Sequence, residues 1–92
     1  MKFKTRTGIV MTSVGGQKIL VAANALHDQI PYVSNINDTT AFCWELLIDG
    51  ISEEELAMRV IEQFEIEDTD VVKKDIASLI KHLYEKGYIV KA

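Results

Sequence analysis

The side chains best suited to chemistry in this 92-residue chain are one cysteine (Cys43), two histidines (His27 and His82) and the carboxylates gathered between Glu53 and Asp70. A catalytic thiol needs a base or cation beside it to hold the thiolate, but Cys43 stands between Phe42 and Trp44 in an apolar stretch, the setting of a packed thiol. A metal site needs several soft or imidazole ligands at short spacing, and Cys43, His27 and His82 lie far apart on different segments. Adjacent carboxylates on a helix diverge, so Glu53-Glu54-Glu55 cannot act as an acid–base pair. Glu65, Glu67, Asp68 and Asp70 look at first like the start of a calcium loop, yet the central glycine and closing glutamate of that motif are missing. Gly15-Gly16 opens no helix and therefore cannot seat a phosphate at a helix N-terminus. The sequence calls for no catalytic residue, metal or cofactor. What remains is binding.

The elements that would carry a binding surface change character near Asn37, from strand-like to helical. Gly8–Val14 and Gln17–Ala22 are short, β-branched-rich runs joined by Gly15-Gly16, which accept the positive φ angles of a tight hairpin turn. Both runs are apolar at consecutive positions, which predicts that part of the hairpin is covered on both faces. A helix layer covers one face, leaving the other for a second copy of the chain in a homodimer. Ala23–Ile30 carries no clear signal. Pro31–Ile36 reads as a third strand, and a proline at its start favours a sheet edge because it has no N–H for a ladder.

Asn37 or Asp38 can cap the next segment, whose Ala41, Phe42, Trp44, Leu46, Leu47 and Ile48 form a broad apolar surface ended by Asp49-Gly50. Ser52-Glu53-Glu54-Glu55 is a capping box opening a second helix with Leu56, Ala57, Val60, Ile61 and Phe64 at helical spacing. Asp70 is the expected cap of a third helix, with Val72, Ile76, Leu79, Ile80 and Leu83 in one stripe and Gly87 at its end. His82 falls toward the polar side of that helix. Tyr88-Ile89-Val90 returns as a β-prone tail, in the place of a wing after a helix-turn-helix. The expected fold is therefore α+β: a winged helix-turn-helix in which an N-terminal three-stranded antiparallel sheet precedes three helices, all within a single domain spanning residues 1–92.

Composition narrows the partners. The net charge of −4 opposes a phosphate polyanion or an anionic membrane surface, so neither nucleic acid nor membrane is expected as a partner. No apolar run nears the ~18–20 residues that span a bilayer, and no signal peptide follows the basic start Met1–Arg6. With a lone cysteine, these features predict a soluble cytoplasmic protein.

From Asn37 onward the chain resembles the PqqD-like family, the leader-peptide recognition domains of pathways that modify ribosomally synthesised peptides. The resemblance rests first on Asn37, Thr39, Ala41, Trp44, Leu46, Leu47, Asp49 and Gly50. Ser52, Glu55, Leu56, Ala57, Val60 and Phe64 match the second helix. The third helix and its ending match through Val72, Asp75, Ile76, Leu79, Ile80, Leu83, Gly87, Tyr88 and Ile89. The resemblance implies a non-catalytic peptide chaperone: a disordered leader docks antiparallel to the third strand, lies beside the third helix, and is presented to a modifying enzyme, often a radical SAM protein. Carried onto this chain, it assigns the edge to Tyr32, Val33, Ser34, Asn35 and Ile36 and the helical side to Lys73, Ile76, Ala77 and Ile80. Ile76 and Ile80 are equally placed to be core residues, and Lys73 to be a solvated flank.

The rival reading is a winged-helix DNA-binding transcriptional regulator, in which the third helix would be the recognition helix. That helix offers Lys73, Lys74, Lys81 and Lys86 against Asp70, Asp75 and Glu85, with no arginine for bidentate guanine contacts.

Overall fold

The computed structural model describes residues 1–22 and 33–92. Its elements run β1 (Lys2–Thr5), β2 (Ile9–Val14), β3 (Gln17–Ala22), β4 (Val33–Ile36), α1 (Asp38–Leu47), β5 (Ile51–Ser52), α2 (Glu53–Phe64), α3 (Thr69–Glu85) and β6 (Ile89–Lys91). Tyr32 and the unassigned Ala23–Ile30 fall outside the described residues, as does Pro31, the proline expected to open the third strand.

The first sheet has the order β2-β3-β4 and is antiparallel throughout. Its hairpin is regular from Ile9↔Ala22 to Val14↔Gln17 and turns through Gly15 and Gly16 at φ 59° and 82°, the left-handed pair that a two-residue turn demands. Between β3 and β4 the register shifts: Lys18 faces Ile36 while Leu20 faces Val33, so β4 holds one residue more than the stretch of β3 it opposes. Such a bulge bends a strand and raises its twist. Ile9 and Leu20 are buried, whereas Val10, pointing to the opposite face, is 48% exposed and its cross-strand partner Val21 half-buried. Among the described residues, the hairpin is thus buried at Ile9 and Leu20 on one face, while the opposite face is half-buried or exposed.

A second sheet, ordered β5-β1-β6, was not expected from the sequence. The N-terminal strand β1 lies in its centre, pairing Phe3 with Ile51 on one side and with Lys91 on the other. The β-prone tail therefore becomes an edge strand against β1, and the Arg6 N–H donates to the Tyr88 carbonyl at 3.0 Å to extend the junction.

The helices begin where capping chemistry allows. Asn37 caps α1 by accepting from the Thr40 N–H at 2.8 Å, and Ser52 caps α2 by accepting from the Glu55 N–H at 3.2 Å. The Glu55 carboxylate extends along the helix to Arg59 at 3.8 Å, so the capping box is met from the serine side. The cap of α3 is Asp68, accepting from the Val71 N–H at 3.3 Å, and not Asp70, which lies inside the first turn. Both carboxylates favour the positive end of the helix, which is why spacing alone did not separate them. Glu65 ends α2 with φ 50°, and Gly87, at φ 85°, follows the end of α3.

These elements close over one core. Leu20, Cys43, Leu47, Leu56 and Tyr88 have no exposed surface, and Trp44, Val60, Ile76, Ile80, Leu83 and Ile89 are nearly as deep. Burying an aliphatic side chain of this size is worth roughly 1.5–3 kcal/mol, so the apolar stripes of α2 and α3 drive the packing. No helix among the described residues is long and apolar enough to cross a membrane.

Candidate functional site

Two features of the fold converge at residue 37. The first is the outer edge of β4: β3 occupies one side of the strand, and among the described residues no strand pairs with the other. An unpaired edge presents a row of N–H and C=O groups that an extended peptide can satisfy. The second begins one residue later. Asn37, Thr39 and Thr40 from the start of α1 face Asp75, Ile76, Ser78, Leu79 and His82 from α3 across an open cleft of about 540 Å³. In α3, positions 75, 78/79 and 82 repeat at one-turn spacing and share a face.

Of the helical residues assigned from the sequence, Ile76 alone lines this cleft, and it is 2% exposed, a wall built mainly from core. Ile80 belongs to the same core, and Ala77 is half-buried. Lys73 opens onto a different hollow of about 280 Å³, shared with Glu53, Glu54, Ala57 and Met58 of α2. Positions 73, 77 and 80 form a stripe turned toward α2, away from the face that carries Asp75 and His82. On the sheet side, Val33–Ile36 form β4, and half-buried Ile36 packs against the core. Tyr32 lies outside the described residues.

Asn37, Thr39, Thr40, Asp75, Ser78, Leu79 and His82 line the cleft without being marked as site residues by the sequence. The signal available was the one-turn repeat of polar residues on α3, but nothing in the sequence says that this face looks onto the start of α1.

The chemistry of the cleft is that of hydrogen bonding and charge. It is lined by hydroxyls, one amide, one carboxylate and one imidazole around the apolar Leu79, and the Asn37 carbonyl oxygen is already engaged by the Thr40 N–H. Cys43 lies in the core with no exposed surface, and burial pushes its thiol up to about 11, so it remains protonated and unreactive near neutrality. Burial likewise raises the Tyr88 phenol. Among the described residues, no three His, Cys, Asp or Glu side chains gather in a way that could hold a metal ion.

An α+β domain with a bulged strand at one sheet edge and a polar cleft against its longest helix has the form of a small binding module. The family model described as coenzyme PQQ synthesis protein D matches residues 26–89, and the chain belongs to this PqqD family. Among solved structures, that of lasso peptide synthetase B1 complexed with the leader peptide is similar to this chain, with a TM-score of 0.72 and 26% sequence identity over 96% of each chain. No curated protein matches.

Proposed function

We propose that this chain is a non-catalytic peptide chaperone of a pathway that modifies ribosomally synthesised peptides, and that it captures the leader segment of a precursor peptide and presents it to the modifying enzyme. The observation that carries the reading is the edge of β4 that no other described strand pairs, which ends where the cleft of α1 and α3 begins. An incoming extended segment adds a strand to β2-β3-β4, with backbone hydrogen bonds supplying affinity and side chains entering the cleft supplying selectivity. The PqqD family and the leader-bound lasso peptide synthetase B1 support the same assignment.

The docking residues of this proposal are Val33, Ser34, Asn35 and Ile36 on the strand, with Tyr32 just before it, and Ile76 with its cleft neighbours Thr40, Asp75, Leu79 and His82 on the helical side. Lys73, Ala77 and Ile80 lie on the side of α3 turned toward α2 and act on the peptide through the position of that helix. The partner enzyme, of the radical SAM class or another, meets the captured peptide beyond the cleft, and the chain itself performs no reaction in the cytoplasm where such enzymes act.

The test is calorimetric titration with the leader half of a candidate precursor, combined with amide shift mapping. The expected result is a saturable complex whose shifts gather at residues 33–36 and along the cleft face of α3. Shifts confined to β1, β5 and β6 would defeat the proposed site. A duplex-DNA complex that weakens steeply with salt would favour the regulator reading instead.

A further inference from the structure

The lining of the cleft is electrostatically one-sided. Of the described residues around it, Asp75 alone bears a full negative charge, none is a lysine or arginine, and His82 is the one other ionisable group. No described residue forms an ion pair with Asp75, whereas Glu55 of α2 is engaged by Arg59. The start of α1 brings a partial positive charge to the opposite wall, but Asp38 in its first turn and the Asn37 cap already answer it. Leu79, one turn from Asp75, adds a half-buried aliphatic surface, and Ser78 adds a hydroxyl oxygen.

This arrangement suits one kind of side chain. An acidic residue entering the cleft would meet a like charge. A purely aliphatic one would cover the Asp75 carboxylate and remove water from it without offering a hydrogen bond, at a cost in affinity. A lysine or arginine lays its alkyl stem on an apolar surface while its head reaches a carboxylate, forming the stronger, charge-assisted type of hydrogen bond. We infer that Asp75 is a specificity-determining residue that selects a lysine or arginine in the bound leader, with Leu79 beneath the stem and Ser78 as a second acceptor. The inference rests on the leader-binding reading, and it adds the chemical class of the side chain that the cleft takes.

The test uses a random-sequence peptide library displayed on its encoding nucleic acid and panned in parallel against the wild-type chain, Asp75→Asn and Asp75→Lys. Asp75 is exposed, so both variants are expected to melt with the wild type. Peptides enriched on the wild type should share a lysine or arginine at one fixed position, Asp75→Asn should lose that preference, and Asp75→Lys should replace it with aspartate or glutamate. The best wild-type peptide should bind Asp75→Asn about 5- to 10-fold more weakly, and changing its basic residue to norleucine should weaken binding to the wild type by a similar factor but barely affect Asp75→Asn. Peptides that shift the amides of residues 33–36 yet show no basic position, or bind Asp75→Asn equally well, would overturn the role of Asp75 and leave strand addition standing. Peptides that bind without touching β4 would overturn the docking reading itself.

Discussion

Raising the pH should weaken this protein through Cys43, by an amount that follows from its burial. The thiol has no exposed surface, and desolvation lifts its pKa from 9.0 to about 11. Below pH 9 the folded and unfolded chains both keep the proton, and the full stability is present. Between about 9 and 11 the unfolded chain gives it up while the folded chain does not, so stability falls as pH rises, and above 11 the effect levels off. Two pKa units correspond to at most about 2.7 kcal/mol, and water reaching the site in a small, breathing domain reduces this to roughly half. For a urea slope of about 1 kcal/mol/M, the midpoint should drop by about 1 M between pH 8 and pH 10.5. The measurement is the difference between urea curves of the wild type and Cys43→Ala, in which the contributions of all other groups cancel. Alkylation with iodoacetamide at pH 8 should also be slow in the native protein and fast once it unfolds. Parallel pH profiles for the two proteins, or native alkylation at the rate of a free peptide thiol, would show that the thiol is accessible and refute the argument.

The remaining predictions probe packing and capping. Leu56→Ala should cost about 2–5 kcal/mol by thermal or urea unfolding, a large share of the ~5–14 kcal/mol available to a chain of this size, because Leu56 is fully buried in the joint core. Asn37→Ala should lose about 1 kcal/mol by the same measurement, since the acceptor for the Thr40 N–H disappears, whereas Asn37→Ser should retain most of that stability. If both also lower peptide affinity in calorimetry, the Asn37 amide contributes to the cleft beyond its capping role.

The sequence by itself determined the hairpin and the three helices of this protein. Gly15-Gly16 specified the hairpin turn because glycine tolerates its positive φ, and the pair Asn37-Asp38 and Ser52 marked helix starts because such side chains accept orphan backbone N–H groups, the structure selecting Asn37 of the pair. The stripes Leu56-Ala57-Val60 and Val72-Ile76-Ile80-Leu83 gave the buried faces of α2 and α3 through a periodicity that is local to each helix. Tertiary structure decided the pairings between distant segments. β1 came to lie between β5 and β6, residues some fifty to ninety positions downstream, because backbone hydrogen bonds carry no sequence label and a four-residue strand has too few side chains to announce its partner. Tertiary structure also decided which side of α3 faces the start of α1. It thereby placed Asp75, Leu79 and His82 in the cleft and turned Lys73 toward α2. A helical repeat says which residues share a face, but the direction in which a polar face looks is fixed by how the apolar one is buried.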